Sequence, residues 1–270
     1  MNFKGLRGYM VVVLIVLVAQ YPHSLLAGKP ANFSKPIKLI NLETGYLLGG
    51  DQNVQIGIGQ SGMGIAGRMQ FTTDILLDML TFLNFQVKVG LLEDREMIPA
   101  LSLGFAYYNL VSTSYIVETA VREGFADEDM DLSSDLEIYY FFASCSKEFT
   151  DRLRLHLGYQ YRYLYGYLNS DNPVTLYAED DSVAVFLAVE QNAVHRCLMS
   201  ALDFDLLDRF KMILELGYDF SYGRGRGGFA VRLGLLDSFS FQLGFLWAGI
   251  KLEEDFELPV LPHFSMLWRF

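Results

Sequence analysis

The sequence predicts an all-β protein: a transmembrane, antiparallel, up-and-down β-barrel of about 12 strands, with long extracellular loops and short periplasmic turns. Three observations lead to this fold class. Long stretches alternate apolar and polar residues with a period of two, and a short apolar run near the N-terminus has the form of an export signal. The rest of the chain contains no apolar run long enough for a spanning helix. A chain that crosses a membrane without helices does so as a closed barrel.

The composition limits the function classes. The chain has 270 residues, 51% of them hydrophobic, and 21 basic against 32 acidic side chains give a net charge of −11. The hydrophobic content excludes a disordered protein, and the acidic excess argues against nucleic acid as a partner, because a polyanion binds a basic surface. The two cysteines, Cys145 and Cys197, cannot form a framework of several disulfides and lack the spacing of a metal site.

Residues 1–27 are predicted to be a signal peptide. Lys4 and Arg7 precede an apolar run at 10–19, and the chain then becomes polar before Ala27, after which we expect cleavage. The run would span only about 15 Å as a helix, half of a hydrocarbon core, which disfavours the alternative of a permanent membrane anchor. We expect the segment 28–53 to be a periplasmic N-terminal segment and barrel entry, followed by the barrel at 54–270.

The clearest strand lies at 152–167. Its odd positions are leucine or tyrosine from 153 onward, whereas its even positions carry Arg154, His156 and Arg162. A period of two over this length indicates a strand longer than the usual soluble strand of about five or six residues. The stretch 211–222 repeats the pattern.

Alternation alone allows two assignments of the faces. In a soluble sandwich the apolar face is inside, whereas in a membrane barrel it contacts lipid and the polar face lines the lumen. The strand lengths favour the barrel, because about nine to eleven tilted residues cross a bilayer. Aromatic residues near strand ends, such as Phe210, Phe239 and Trp268, are typical of interfacial girdles.

The last segment, 263–270, carries the most specific feature. Its apolar face consists of Phe264, Met266, Trp268 and Phe270, and the printed sequence stops on this aromatic residue. It resembles the C-terminal signature of Gram-negative outer-membrane β-barrels, whose final strand ends in phenylalanine. The resemblance implies a location in the outer membrane of a Gram-negative bacterium, with lipid and lipopolysaccharide as surroundings. It also implies an assembly signal at Phe264, Trp268 and Phe270 for the barrel-assembly machinery, but it defines no functional family.

Parity makes the strand number even, because the first strand is expected to begin and the last to end in the periplasm. Twelve strands fit, and ten or fourteen are also compatible. The predicted strands lie at 54–60, 63–71, 74–81, 84–92, 99–111, 134–148, 152–167, 194–206, 210–222, 228–236, 239–251 and 260–270. Short periplasmic turns are expected at 71–74, 92–97, 148–151, 206–209 and 236–238, and the extended stretch 182–189 is placed in an outer loop as a hairpin.

This register directs charged residues of both signs into the lumen, so we expect either water or ion pairs there. Twelve strands lie between a self-filled barrel of eight and an open one of sixteen, which indicates a narrow or plugged pore. Glu137 and Lys147 are among the residues predicted to face the lumen. Five others, expected to cluster at mid-barrel, are the candidate selectivity residues: Arg154, Arg162, Glu215, Asp219 and Arg232.

Two local motifs are weak. Residues 57–62 match the glycine pattern of dinucleotide sites, but no helix follows to hold a pyrophosphate, so we expect a tight hairpin. Residues 127–131 begin like a calcium loop but lack its later glycine and glutamate. Asp127, Asp129 and Asp131 are therefore only weak candidates for a divalent cation, and we expect no cofactor. As a hypothesis, the acidic outer loops bridge to lipopolysaccharide through divalent cations or favour cations at the pore mouth.

The exported chain offers no convincing catalytic group. His156, His195 and His263 are all predicted to face the lumen, where the serine at 265 could not reach a lipid substrate. We therefore predict no enzymatic activity, and a narrow passive or substrate-selective channel for small polar solutes. The alternative is a non-conducting structural, adhesive or complex-forming barrel that acts through its outer loops at 112–133 and 168–193.

Overall fold

The chain forms a closed barrel of twelve antiparallel strands, in which each strand pairs with its neighbours in chain order and the last pairs with the first. The structure is a computed structural model that describes residues 33, 35–48, 54–58, 60–75, 82–110, 132–170, 174–178, 181–185, 188–247, 251–253, 256–257 and 260–269. The barrel strands are β1 (Val54–Ile58), β2 (Ser61–Ile65), β3 (Met69–Thr73), β4 (Phe82–Leu92), β5 (Ala100–Leu110), β6 (Leu132–Thr150), β7 (Leu153–Ser170), β10 (Ala188–Leu207), β11 (Phe210–Asp219), β12 (Arg224–Gly234), β13 (Phe239–Trp247) and β16 (Leu261–Arg269). The predicted up-and-down barrel of 12 strands is confirmed.

The connections give the barrel two different ends. At the short-turn end, adjacent strands are joined at 66–68, 93–99, 151–152, 208–209 and 235–238. The opposite, long-loop end carries the connections 74–81, 111–131, 171–187 and 248–260. Two small hairpins lie within the last two of these: β8 (Val174–Ala178) with β9 (Asp181–Val185), and β14 (Lys251–Glu253) with β15 (Phe256–Glu257). The hairpin predicted outside the barrel near 182–189 is therefore present, with the segment 174–178 as its partner strand.

The first three strands depart from the prediction. Residues 57–62 form the expected hairpin between β1 and β2, but the predicted strand 63–71 is interrupted by a turn. Ala66 and Gly67 both have positive φ angles, 50° and 66°, as in the type I′ turns that join paired strands. The predicted turn at 71–74 is wrong, since β3 continues to Thr73. The sequence Ala-Gly lacks the Asn-Gly signal of this turn type. Thr72 and Thr73 were interpreted as turn residues, although they belong to β3. Most of the predicted strand 74–81 lies outside the described residues.

The distribution of polar and apolar side chains is inverted relative to a soluble protein. Fully or nearly fully buried side chains inside the barrel include charged and amide groups, whereas large apolar side chains cover its outside. Residues of the buried polar set are Gln70, Lys88, Arg154, His156, Asp203, Lys211, Glu215, Arg232 and Gln242. Residues of the exposed apolar set are Ile56, Phe71, Phe85, Leu103, Phe141, Leu157, Leu202, Leu216, Phe229, Phe245 and Phe264.

The final strand closes the barrel. β16 pairs with β13 on one side and with β1 on the other, and Arg269 Nε donates a hydrogen bond of 2.8 Å to Gln55 Oε1 across the closing seam. On the outside, Trp268 stacks on Phe239 with 4.2 Å between ring centroids. Phe270 and the predicted signal peptide at 1–27 lie outside the described residues. Within the part of the chain that the structure describes, no helix is long and apolar enough to cross a membrane.

Candidate functional site

The lumen contains a segment of the chain itself. Residues 35–48, called here the lumen hairpin, enter from the short-turn end, reverse direction at Ile40–Asn41 and return towards β1. The turn is closed by a hydrogen bond of 3.0 Å from Leu39 N to Leu42 O, and Lys38 and Glu43 form an isolated bridge. Of the segment 28–53, expected to be a periplasmic N-terminal segment and barrel entry, residues 35–48 thus lie inside the lumen. Leu39, Ile40 and Leu42 are apolar, and inside the lumen they contact the barrel wall instead of water.

A carboxylate of the wall holds the tip of this hairpin. Glu215 on β11 is fully buried, and its Oε1 accepts hydrogen bonds from the N–H groups of Ile40 (2.7 Å) and Leu42 (3.1 Å). The Asn41 N–H lies 2.9 Å from Oε2 of the same side chain. Successive backbone N–H groups that converge in this way form an anion-binding nest, and here the anion is part of the protein.

Other wall side chains bind the hairpin backbone along its length. They come from strands on all sides of the lumen, and they mostly donate to carbonyl oxygens. The donors to carbonyls are Lys88 Nζ to Ile37 (2.9 Å), Arg232 Nη2 to Lys38 (3.2 Å), Gln242 Nε2 to Leu39 (3.2 Å), Gln160 Nε2 to Asn41 (3.0 Å) and Ser102 Oγ to Thr44 (3.1 Å). Ser146 Oγ and Gln70 Oε1 accept from the N–H groups of Gly45 (2.7 Å) and Leu48 (2.9 Å). Each of these seven buried wall side chains thus has a hydrogen-bond partner in the hairpin backbone.

Apolar contacts supplement these hydrogen bonds. Leu39, Ile40 and Leu42 form one buried cluster with small and aliphatic wall residues that include Met199 and Ile213. The wall also has a recess for one of these side chains. A Cβ atom added at Gly158 would lie 2.4 Å from Leu42 Cδ1, whereas the nearest backbone atom, the Ala143 oxygen, is 3.4 Å away. Gly158 therefore provides the space that Leu42 fills.

A desolvated ion-pair network lies near the short-turn end. Arg154 donates from Nη1 to Asp203 and from Nη2 to Asp205, both at 2.7 Å, and Lys211 Nζ is 2.9 Å from Asp203. The side chains of Arg154, Asp203 and Lys211 are fully buried. Buried charges of this kind are tolerated only when they are paired, so the charges here neutralise one another and are not presented to a solute.

One contact has the residue types of a hydrolytic triad. Ser146 Oγ lies 2.7 Å from His156 Nδ1, and His156 Nε2 lies 3.5 Å from Asp203 Oδ2. The serine also accepts the N–H of Gly45 from the lumen hairpin, and both Ser146 and His156 are fully buried. Because the hairpin occupies the approach to the serine, this group anchors the hairpin in the observed conformation. Sequence spacing could not reveal it, since the three residues lie on three different strands.

A second anchor joins the returning arm of the hairpin to the short-turn end. The Tyr46 hydroxyl donates to Asp94 Oδ2 at 3.0 Å, and Lys147 Nζ donates to Asp94 Oδ1 at 2.6 Å. Burial alone would raise the pKa of Asp94, but hydrogen bonds from Lys147, from the Glu148 N–H and from Tyr46 hold it below its ordinary value. Burial, together with the Asp94 carboxylate, raises the pKa of the Tyr46 hydroxyl.

The five candidate selectivity residues occupy different levels of the lumen instead of one cluster. Arg154 and Arg232 lie near the short-turn end, where Arg232 also bonds Gln242 at 2.6 Å, and Glu215 holds the hairpin tip. Arg162 and Asp219 lie on the long-loop side of that tip. The five residues lie on adjacent or near-adjacent strands, as expected, with only β10 between the strands of Arg162 and Asp219. Arg154, Glu215 and Arg232 are bonded to other protein groups.

The two residues on the long-loop side have local partners. The Arg162 guanidinium carbon lies 4.8 Å from the Tyr140 ring centroid, and its Nη2 donates to Gln160 Oε1 at 3.3 Å. Gln160 in turn donates to the hairpin tip, so Arg162 is linked to the hairpin through one side chain. Asp219 Oδ2 lies 3.3 Å from His195 Nδ1.

Two residues predicted to face the lumen point outward. Glu137 accepts hydrogen bonds from the hydroxyls of Tyr107 (2.7 Å) and Tyr139 (2.8 Å), and Lys147 contacts Asp94. The parity of β6 was misassigned because its inner face also carries aromatic residues, Tyr140 and Phe142, so both faces are apolar in part.

A metal site is not indicated within the described residues. They contain no group of three or more His, Cys, Asp or Glu side chains placed to hold a metal ion. The weak loop candidates Asp127, Asp129 and Asp131 lie outside the described residues.

No known protein family and no curated protein matches the sequence. Among solved structures, the chain is similar to one described as the KdgM porin in complex with disordered oligogalacturonate. The TM-score is 0.30 and the sequence identity 10%, over 81% of this chain and 97% of that chain. The fold assignment therefore rests on the strand pairing of this chain.

Proposed function

We propose that the protein is an outer-membrane β-barrel that provides a narrow channel for small polar solutes, and that the lumen hairpin closes the channel in the resting state. The inverted distribution of side chains is the observation that carries the proposal. An exposed belt of Leu, Ile and Phe around a polar interior suits a lipid exterior and a hydrated lumen, and would aggregate in water. Lipid and lipopolysaccharide around the barrel, and assembly by the barrel-assembly machinery, belong to the same proposal.

The lumen on the long-loop side of the hairpin tip supports access by water-soluble molecules. The Lys38 side chain keeps 32% of its surface exposed although the barrel surrounds it, and the His195 side chain keeps 33%. These exposed fractions indicate that water reaches this part of the lumen. On the short-turn side the hairpin and the buried ion pairs occupy the lumen beside β7, β10 and β11, and a cavity lined by Tyr46, Gly67 and Asp94 opens beside the returning arm. The block to a solute is thus the hairpin and not the barrel wall.

A reversible covalent lock tests the channel. Cysteines at Leu42 and Gly158 would face each other across the observed contact, and we expect them to form a disulfide, whose Cβ atoms are about 3.5–4.5 Å apart. The variant is made with Cys145→Ser and Cys197→Ala, and the same background with the native Leu and Gly is the control. In planar bilayers we expect conductance steps from the control and from the reduced lock, and none from the oxidised lock. Absence of steps from the control would overturn the channel.

The second candidate is a non-conducting barrel that acts through its long loops. The observation that favours it is the number of hydrogen bonds that hold the hairpin, because these bonds make spontaneous opening rare. An unlatched hairpin that still gives no current, as described below, would support this candidate against the channel.

The membrane class is tested separately from conductance. An outer-membrane barrel stays folded in detergent until it is heated, so boiled and unboiled samples should migrate differently on a denaturing gel. Equal migration, combined with solubility of the folded protein without detergent, would refute a membrane location.

A further inference from the structure

We propose that the lumen hairpin is a gate that leaves the lumen as one unit, and that the Glu215 carboxylate is the latch that holds it. This inference rests on the proposed channel function and adds its control. Three features of the hairpin and of the wall support it, and each concerns what would happen if residues 35–48 moved out.

The hairpin is not a strand of the barrel sheet. The closed sheet consists of β1 to β7, β10 to β13 and β16, and the hairpin contributes only the isolated bridge between Lys38 and Glu43 within itself. Its departure would break no strand pairing. Both of its arms run to the short-turn end, and among the described residues no barrel strand passes between the arms and that end.

The wall behind the hairpin is suited to water. The groups that bind the hairpin backbone are amides, hydroxyls and charged side chains, of which Gln160, Ser102 and Gln242 are examples. Water can replace a backbone partner for each of these groups. A wall built for a permanent plug could be apolar, as most protein cores are. Among the described residues, the inner wall instead has two small apolar patches, one around Met199 and Ile213 and one around Tyr140 and Phe142.

The latch is concentrated in one side chain. Glu215 receives three adjacent N–H groups at the point where the hairpin turns, whereas each of the other wall side chains named above makes one hydrogen bond to the hairpin backbone. Bonds with a charged acceptor are also stronger than those between neutral groups. Lys38 pairs with Glu43 within the hairpin at 3.7 Å, and Glu43 also pairs with Lys88 of the wall at 3.6 Å, a contact of the arm that does not depend on the tip. Loss of the Glu215 carboxylate therefore removes the principal contact at the tip while the arms keep theirs.

Chemical rescue tests the latch. Glu215→Ala empties the nest, which a small carboxylate can refill, so we measure hydrogen exchange of the amides at 40–42 and single-channel open time with sodium formate or sodium chloride. We expect exchange and open time to rise by at least about tenfold in the variant and to fall again with formate but not with chloride. Asp219→Ala, which removes a luminal carboxylate on the same strand, should leave the exchange at 40–42 at the wild-type level with either salt.

The outcomes separate the latch from the channel. Unchanged exchange at 40–42 in Glu215→Ala would overturn the latch, whatever the wild-type conductance. Faster exchange that formate reverses, without any current, would support the latch and overturn the channel. If Glu215→Ala does not fold, as judged by heat-modifiable migration, Glu215→Gln keeps one acceptor oxygen. It should then show a smaller rise in exchange at the same amides, and wild-type exchange in that variant would likewise overturn the latch.

Discussion

Replacement of Arg154 by methionine should destabilise the barrel more than any surface charge change. The substitution removes a fully buried guanidinium that makes two hydrogen bonds of 2.7 Å to carboxylates. Lys211 would remain bonded to Asp203 and Asp205, at 2.9 and 3.5 Å, so the network loses one of its buried positive charges. Methionine fills a similar volume, so the loss reports charge and not a cavity.

The size of this loss follows from the two broken contacts. A hydrogen bond to a charged group contributes about 1.5–3 kcal/mol, so two of them give about 3–6 kcal/mol. Removal of one partner of a buried ion pair generally destabilises a protein by about 3–5 kcal/mol, and this range agrees with the sum of the two hydrogen bonds. Additional substitution of Asp205 by asparagine removes the surplus charge and should recover about half of the loss.

Equilibrium unfolding in urea, followed by heat-modifiable gel migration of protein in lipid vesicles, measures the difference. The matched control is Arg95→Gln, because Arg95 pairs with Glu93 in a contact whose two side chains are 73% and 71% exposed, where at most about 1 kcal/mol is expected. A loss below about 1 kcal/mol for Arg154→Met would refute the desolvation on which this estimate depends. Equal losses for the single and double variants would refute the charge argument.

Two further perturbations address the hairpin. Because the folded pKa of Asp94 lies below its ordinary value of 3.8, its bonds to Tyr46 and Lys147 stabilise the fold fully above that value and are lost as the pH falls through the folded pKa. The difference in urea midpoint between wild type and Asp94→Asn should therefore be constant at neutral pH and shrink in acid, and a difference that grows in acid would contradict the sign. Gly158→Phe should expel Leu42 and speed hydrogen exchange in the hairpin. Gly166→Phe, where an added Cβ has no contact closer than 3.5 Å, should not, and equal exchange in both would contradict the role of the recess.

The strands with long alternation could be predicted from sequence because their two faces meet different surroundings. β7 spans Leu153–Ser170 against a predicted 152–167, and β11 begins at Phe210 as expected. The limits of the five-residue strands β1, β2 and β3 were harder to predict, because five residues give few alternations between apolar and polar side chains. Their limits therefore depend on recognising the turn residues between them. β6 failed in parity although its position was right, because aromatic side chains line both of its faces.

The lumen hairpin could not be predicted from local pattern, although one signal was present. Ile37, Leu39, Ile40 and Leu42 are more apolar than a segment in periplasmic water requires. Their burial depends on a closed barrel that exists only after the chain has paired its last strand with its first. The candidate residues Arg154, Glu215 and Arg232 are buried inside the barrel, where each is a partner of other protein groups.

The sequence by itself determined that this chain alternates between two environments, and hence that it forms long antiparallel strands closed into a barrel with a polar interior. That information is local, because neighbouring residues of a strand face opposite sides. The tertiary structure decided what fills the interior and which charges meet. Glu215 binds an amide 175 positions earlier in the chain, and Arg154 pairs with a carboxylate 49 positions later. Such pairs depend on strand register and barrel closure, which bring distant residues together and which no periodicity along one strand encodes.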